Sequence, residues 1–410
     1  MSPVEKTTLL VIFAVGVLAP LLAYWTPRLR LPVIVLEIGL GILVGPEVLH
    51  WGEAGPVIDA LARLGLSFLF FLAGFEIDFK RIRGRPLRLA MTGWLLSLGL
   101  AMLAGQLLKF FGIVSSEIVT PIILTSTALG VLSPILKDAG EEGTAFGTFV
   151  QASGVLGEFG PIVMISVLLT TEDGGGGKAS LFIALFILIA IFSAYLAARL
   201  RPHFLVEAFR ERMHTSSALP LRACILILVL LVILTRQLGL ESILGAFTAG
   251  IVVSLASSGK DREVLRQKLE GIGYGFLIPI FFVTSGMNYN LTDLISSPRS
   301  LLRLPLFLAL FLVVRGLPAL LFHKDLPRKD LLPLALFSST TLPLVIAVTT
   351  IGVKTGQMLG VNAAALVGAG MISVFLFPAL ALWIRQGREP AGPSLRNPEP
   401  IPIKAGTEAG

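Results

Sequence analysis

The dominant pattern along the chain is a series of apolar runs of about 20 residues, separated by short loops that carry glycine, proline and charge. A run of this length crosses a bilayer as one α-helix, and it differs from the alternating pattern of a membrane β-barrel. The sequence therefore predicts an all-α polytopic membrane protein with about thirteen transmembrane helices. The predicted spans are 7–25, 33–49, 56–76, 87–110, 117–136, 144–171, 179–199, 219–237, 240–258, 268–290, 301–322, 331–352 and 361–384.

The composition and the charge distribution agree with a membrane protein. The 410 residues are 54% hydrophobic and 14% charged, too few polar residues to cover a soluble globule of this size. Of the 33 Lys and Arg, 24 fall in loops on one side of the predicted membrane, seven fall on the other, and Arg63 and Arg315 lie within spans. Because basic loops face the cytoplasm, we expect an inner-membrane protein with its N-terminus outside and its C-terminus cytoplasmic. This topology accounts for the net charge of +7 without a nucleic-acid partner.

Two segments stand apart from the apolar series. Residues 200–218 mix apolar and charged side chains, which predicts an amphipathic linker between two halves of the chain. Residues 386–410 are rich in proline and glycine, which predicts a disordered cytoplasmic tail. Residues 1–385 are therefore predicted to form the transmembrane transporter domain.

The candidate chemistry centres on the sixth span, where one acid, Glu158, lies near the middle of an apolar helix. Helical spacing places Gln151 on the same face, which is predicted to look toward other helices. Pro161 has no N–H, so the carbonyl of Gly157 lacks its helical partner beside the acid and could ligate a cation. A charge at mid-bilayer costs roughly 2.5–3.5 kcal/mol on insertion scales, so such an acid usually has a partner or a task. The alternative is a neutral, hydrogen-bonded structural acid.

A weak internal repeat gives the second clue. Hydroxyl clusters recur on the fifth and twelfth spans, and each is accompanied by a proline, Pro134 or Pro343, that makes an uninterrupted helix unexpected. The candidate ligands in these clusters are Thr125, Ser126, Thr127, Ser339 and Thr340. Paired, interrupted helices running in opposite directions indicate an inverted-repeat transporter with its site at the midplane. For a single cluster, packing of hydroxyls between helices is the alternative.

Five segments, in this order, carry a resemblance to a known family: LPVIVLEIGLGILVGP (31–46), LGLSFLFFLAGFEIDF (64–79), TSTALGVL (125–132), LESILGAFTAGIVV (240–253) and PIFFVTSGMNYNL (279–291). Over residues 7–385 the chain resembles the second branch of the monovalent cation:proton antiporter superfamily, with its Kef-type and sodium–proton exchanger membrane domains. The resemblance implies inverted repeats in which spans 5 and 12 are broken and cross. It also implies core helices at 87–171 and 301–384, and scaffold helices at 7–76 and 219–290 that form a homodimer.

The resemblance further implies roles for individual residues. The family's ion-binding acid on the sixth span usually follows Asp, Asn or Gln, whereas here the pair is Gly157 and Glu158. The family also has a Lys or Arg on the eleventh span facing this site. Arg315 fits that position as a direct partner of Glu158, or alternatively it snorkels toward the nearer membrane surface. Apart from the resemblance, the secondary candidates are Gln151, Ser153, Glu37 and Glu76. For the two glutamates, the alternative is that they anchor helix ends or pair locally.

Together these observations predict a secondary active antiporter that uses no cofactor. Glu158 would bind either a proton or Na⁺ or K⁺, and the hydroxyls, half-helix ends and Gly157 carbonyl would supply hard oxygen ligands or dipoles. With no second acid next to Glu158, exchange is predicted to be electroneutral. The alternatives are a proton-coupled carrier of an organic or anionic solute on the same fold and, less favoured, a channel. An enzyme is not predicted, because the sequence has no metal-ligand cluster, no nucleophile with a base and no nucleotide motif.

Overall fold

The computed structural model describes residues 3–25, 32–172, 218–257 and 259–385, and the regular secondary structure in these ranges is helical. The predicted seventh span (179–199), the linker up to residue 217 and the tail (386–410) lie outside the described residues. The helices are α1 (Pro3–Trp25), α2 (Val33–Val44), α3 (Pro56–Glu76), α4 (Phe79–Ile82), α5 (Arg85–Phe110), α6 (Val119–Leu124), α7 (Leu129–Asp138), α8 (Ala145–Glu172), α9 (Leu219–Gln237), α10 (Ser242–Ala256), α11 (Gly259–Ile272), α12 (Ile278–Met287), α13 (Leu291–Ile295), α14 (Pro298–Phe311), α15 (Arg328–Ser338), α16 (Pro343–Lys354) and α17 (Gly360–Arg385). Two π-helical turns, Gly273–Leu277 and Leu312–Gly316, continue α11 and α14, and the second leads into a 3-10 helix, Leu317–Lys324.

The predicted spans that fall within the described residues correspond to these helices, and the chain is a multi-pass integral membrane protein. Within the described residues, ten helical stretches are long and apolar enough to cross a membrane, and α2 and α10 are shorter apolar helices. The second span was expected to reach residue 49, but α2 ends at Val44. Gly45 has an extended backbone (ψ 177°) because it precedes Pro46, and the residue before a proline is biased away from the helical region. The total of thirteen spans stays a prediction, since one of them lies outside the described residues.

The fifth and twelfth spans are each interrupted. The first break separates α6 from α7 at residues 125–128, and the second separates α15 from α16 at residues 339–342. Pro343 is the first residue of α16, where its missing N–H costs nothing. Pro134 lies inside α7, so the first break falls at the hydroxyl cluster and not at the proline.

The transmembrane helices pack mainly within two sets. We call α1–α3 with α9–α12 the scaffold set, and α5–α8 with α14–α17 the core set. Inside the scaffold set, glycines bring backbones into direct contact. A Cβ added at Gly74 of α3 would lie 2.1 Å from the carbonyl oxygen of Phe247 on α10, and one at Gly250 would lie 2.0 Å from that of Phe71. These helices therefore contact each other with no side chain between them.

Candidate ion-binding site

The two helix breaks lie against each other and against the middle of α8. The N–H of Ala128 donates to the carbonyl of Thr340 at 2.8 Å, so the extended segments of the two broken helices are joined directly. The N–H of Thr127 donates to the carbonyl of Gly157, also at 2.8 Å. This is the carbonyl that Pro161 was predicted to free, and the protein's own backbone uses one of its lone pairs. The breaks therefore meet beside the residue that precedes Glu158.

Glu158 is buried, with 2% of its surface exposed, and its carboxylate meets the start of α7. Oε2 accepts a hydrogen bond from the N–H of Leu129 at 3.1 Å, and the N–H of Gly130 also donates to this carboxylate. The first N–H groups of a helix have no partner inside the helix and carry partial positive charge. The start of α7 therefore stabilises the negative charge. Within the described ranges, Glu158 forms no ion pair with a basic side chain.

Arg315 is the second buried charge near the breaks, and it lies in the π-helical turn Leu312–Gly316. Its guanidinium donates to the hydroxyl oxygens of Thr127 (2.9 Å) and Ser97 (3.2 Å) and to the carbonyl oxygen of Ser153 (3.0 Å). It also lies 3.4 Å from the carbonyl oxygen of Ser338, at the end of α15, where a helix carries partial negative charge. The guanidinium is thus bound by neutral acceptors only.

Neither sequence-based expectation for Arg315 holds in this structure. The predicted direct pairing with Glu158 is absent, because backbone N–H groups of α7 take the carboxylate and neutral oxygens take the guanidinium. Snorkelling is absent as well, since Arg315 is only 4% exposed. Instead, the carboxylate of Glu158 lies at the start of α7, and the guanidinium of Arg315 lies at the end of α15.

The glycine at position 157 is explained by what occupies the space beside it. A Cβ added there would lie 2.5 Å from Thr127 Oγ1 and 2.6 Å from Arg315 Nη2. A side chain at this position is therefore incompatible with the observed place of Arg315. Glycine in place of the family's usual polar residue at position 157 therefore makes room for Arg315 and its contacts.

The other predicted hydroxyl ligands stabilise the helix ends. Each donates to a carbonyl three or four residues earlier in its own half-helix: Thr125 to Ile122, Ser126 to Ile123, Ser339 to Ala335 and Thr340 to Leu336. The hydroxyl of Ser126 also lies 2.5 Å from that of Thr341 across the two breaks. Of the predicted hydroxyls, that of Thr127 is the one that contacts Arg315.

A polar cavity of about 500 Å³ is lined by Glu76, Gln151 and Tyr274, and Glu158 is not among its lining residues. Oε2 of Glu76 is buried and has no hydrogen-bond partner among the described residues. The other charged side chains of the wall are Asp78, Arg81, Lys137, Asp138, Glu142, Arg262, Glu263, Arg266 and Glu270. Glu37 is not among the lining residues; it is buried on α2, which packs against α12.

The structure also brings in residues that the sequence analysis missed. Ser97 is one of two hydroxyl residues in a leucine-rich span, the other being Thr92, and its residue type gives no signal of a contact with Arg315. Tyr274 lines the cavity and lies between two glycines in GIGYGFL. A tyrosine flanked by glycines is unusual within a predicted span, and this pattern could have identified Tyr274 as a candidate. The donors to Glu158 are backbone N–H groups, which no side chain identifies.

Known proteins share both the sequence pattern and the fold. The family described as "Sodium/hydrogen exchanger, transmembrane" matches residues 15–382. The chain is 29% identical over 375 residues to the "Putative Na(+)/H(+) antiporter YjbQ" of Bacillus subtilis (strain 168), covering 86% of this chain and 58% of that protein. It is 26% identical over 270 residues to the "Na(+)/H(+) antiporter" of Enterococcus hirae, covering 64% of this chain and 68% of that protein.

The fold is also that of a solved structure, the sodium proton antiporter MjNhaP1 from Methanocaldococcus jannaschii at pH 8. The TM-score is 0.64 over 92% of this chain and 97% of that chain, and the sequence identity of 17% makes this a likeness of fold alone. This chain spans 58% of the length of the B. subtilis relative. Because the family match covers nearly all of the described residues, the chain belongs to the sodium/hydrogen exchanger family, which consists of membrane transporters and not of enzymes.

Proposed function

We propose that this chain exchanges a monovalent cation, Na⁺ or K⁺, for protons across the membrane, with Glu158 as the group that binds both. One observation carries the proposal: a buried carboxylate with no basic partner in the described residues lies at the meeting point of two helix breaks. A proton and an alkali cation compete for the same carboxylate oxygens. Alternate access to that carboxylate from the two sides then produces exchange. The relatives named as Na(+)/H(+) antiporters support the same activity.

We infer that the exchange is electroneutral, with one cation for one proton. Arginine stays protonated in proteins, and Arg315 is bound by hydroxyl and carbonyl oxygens whose charge does not change. Glu158 is then the single group at the breaks whose charge alternates. A carboxylate neutralised by either a proton or a monovalent cation crosses the membrane with the same net charge.

The rival function, a carrier of an anionic solute, requires a basic group that is free to bind the solute. The three guanidinium nitrogens of Arg315 already donate to Thr127, Ser97 and Ser153. Binding an anion there would require breaking these buried hydrogen bonds. The contacts of Arg315 therefore favour cation exchange over this rival.

We further propose how the chain lies in the membrane. The excess of Lys and Arg on one side supports an inner-membrane protein with its N-terminus outside and its C-terminus cytoplasmic. The matching breaks support inverted repeats, and the two packed sets support a division into a scaffold and a moving core. Apolar side chains such as Leu10 (71% exposed) and Leu226 (58% exposed) on α1 and α9 would meet lipid or the second copy of a homodimer.

The test uses purified protein in liposomes that carry a pH gradient, to which Na⁺, K⁺, Li⁺ or choline is added in turn. We expect Na⁺ or K⁺ to dissipate the gradient, and Glu158→Gln to reduce dissipation to the level of protein-free liposomes. Glu117→Gln serves as a control, because Glu117 is an exposed residue paired with Lys109. If no alkali cation acts on the wild type, or if Glu158→Gln transports normally, the proposal fails. Exchange that responds to an imposed membrane potential would contradict electroneutrality.

A further inference from the structure

A side-chain hydrogen bond from Tyr274 joins the scaffold set to the broken helix beside Glu158. The hydroxyl of Tyr274 donates to the carbonyl oxygen of Gly130 at 3.1 Å. Gly130 is the second residue of α7 and directly follows Leu129, whose N–H binds Glu158. The scaffold thus contacts the core set one residue away from the hydrogen-bond donor of the ion-binding acid.

The acceptor carbonyl is available because of the proline inside α7. Pro134 has no N–H, so the carbonyl of Gly130 has no partner four residues later in the helix. Packing at this point is otherwise ordinary, since a Cβ added at Gly130 would lie 3.7 Å from Cβ of Ala73 on α3. The boundary here therefore has a hydrogen bond but none of the backbone contacts found inside the scaffold set.

The donor is held by a rigid part of the scaffold. Tyr274 lies in the π-helical turn Gly273–Leu277, and π-helical turns are frequent at functional sites. A Cβ added at Gly65 of α3 would lie 2.2 Å from the carbonyl oxygen of Leu277, so α3 contacts the end of this turn backbone to backbone. Tyr274 is thus positioned by the scaffold and reaches across the boundary.

A second tyrosine makes the equivalent contact at the far end of the same segment. The hydroxyl of Tyr289, just beyond the end of α12, donates to the carbonyl oxygen of Ala364 on α17 at 2.9 Å. The two tyrosines are 15 residues apart, which corresponds to about 22 Å along a helix. One scaffold segment therefore donates to backbone carbonyls of the core set at both of its ends.

We propose that Tyr274 and Tyr289 are positioning residues that hold the core set against the scaffold set while the cavity lined by Glu76 and Tyr274 is open, and that both hydrogen bonds break when Glu158 is exposed on the other side. This inference rests on the proposed alternate access. Each bond is a neutral hydrogen bond with a modest net contribution to stability, so together they bias the equilibrium without blocking the transition.

The first test asks whether the scaffold set and the core set must separate at Ala73 and Gly130 for transport to occur. In a Cys224→Ser background, which removes the single cysteine, Ala73→Cys with Gly130→Cys should form a disulfide, because the Cβ separation of 3.7 Å suits one. The readout is the transport rate of the oxidised protein divided by that of the same reduced protein, so that any effect of Gly130→Cys itself on the rate cancels. We expect oxidation to lower this ratio close to zero. The control pair, Gly16→Cys with Pro279→Cys, has the same 3.7 Å separation but joins α1 to α12 inside the scaffold set, and should transport when oxidised.

The second test asks whether the tyrosines hold the boundary. Spin labels at Trp51→Cys and Phe111→Cys, two exposed positions on the scaffold and core sets, report the populations of the conformers through their distance distribution. We expect Tyr274→Phe to lower the ratio of the cavity-open conformer to the other conformers roughly 2- to 10-fold, and Tyr289→Phe to lower it further. Tyr24→Phe is the control, because Tyr24 is 78% exposed on α1.

The outcomes separate the two proposals. An unchanged ratio in the double Tyr→Phe variant, an equal change in Tyr24→Phe, or full transport by the oxidised Ala73→Cys and Gly130→Cys protein overturns the role of the tyrosines. Antiport by the wild type would still stand in each of these cases. If the proposed function is wrong, the wild type itself does not respond to any alkali cation. The ratio of conformers from the spin labels can still be measured in that case, because it does not require transport.

Discussion

The scaffold set and the core set are held together by different means. In the scaffold set, Gly74 and Gly250 place α3 and α10 in direct backbone contact. In the core set, the helix breaks are held by backbone and hydroxyl hydrogen bonds and by charge: Thr341, for example, donates its N–H to the hydroxyl of Ser373 on α17, and that hydroxyl donates to the carbonyl of Thr341. Backbone contact through glycine leaves no room for sliding, whereas hydrogen bonds can be exchanged for others. The comparison indicates one rigid set and one set built of exchangeable contacts.

The largest expected effect on stability is in the core set, at a buried charge cluster. Arg385 at the end of α17 pairs with Glu141 (2.7 Å) and Asp330 (2.6 Å), and its side chain is 5% exposed. Arg385→Gln leaves two largely buried carboxylates without this partner, which should lower the free energy of unfolding by about 3–5 kcal/mol. Thermal melting of the purified protein in detergent measures the change.

The matched control for this prediction is Arg85→Gln. Arg85 pairs with Asp325, but its side chain is 60% exposed, so the pair is screened by water. This variant should melt at the wild-type temperature. An equal loss in both variants would show that burial does not distinguish the two ion pairs.

The next effect tests the glycine contacts of the scaffold set. Gly74→Ala forces a methyl group to within 2.1 Å of the carbonyl oxygen of Phe247, and overpacking of this kind costs about 1–3 kcal/mol. Gly130→Ala, at the boundary between the sets, meets its nearest atom at 3.7 Å and should change melting little. If Gly130→Ala destabilises the protein as much as Gly74→Ala, the contrast between a fused scaffold and a separable boundary is lost.

The smallest expected effect concerns the hydrogen bonds of Arg315 in the core set. Arg315→Lys keeps the positive charge but replaces a planar fork by one ammonium group, which cannot reach Thr127, Ser97 and Ser153 together. Losing one or two of these hydrogen bonds should lower the transport rate about 10-fold without lowering expression. A wild-type rate in liposomes would mean that charge alone, and not the fork, is required.

The sequence predicts those parts of the fold that depend on length and polarity. Apolar runs give the spans, and Glu158 is conspicuous as an acid inside one of them. The end of α2 also follows from a local rule, because Gly45 precedes Pro46 and the residue before a proline is biased away from the helical conformation. These features follow from neighbouring residues alone.

The arrangement around Glu158 could not be predicted, because it depends on which backbone groups meet. From the sequence, Arg315 is the expected partner of Glu158, since two buried charges of opposite sign attract each other. In the structure, the partners of Glu158 are the N–H groups of Leu129 and Gly130, and any residue type other than proline carries such a group. The exclusion between a side chain at position 157 and Arg315 is likewise visible only when both helices are in place.

The two π-helical turns have a consequence for how this site can arise and be lost. Tyr274 and Arg315 each lie in one of them, Gly273–Leu277 and Leu312–Gly316. A π-helical turn closes its hydrogen bond over one residue more than an α-helical turn does, so it rotates the following residues around the helix axis relative to the preceding ones. Insertion of a single codon is enough to create such a turn, and deletion of a single codon is enough to remove it. Small in-frame changes in either of these two helices would therefore turn its polar side chain away from the helix breaks.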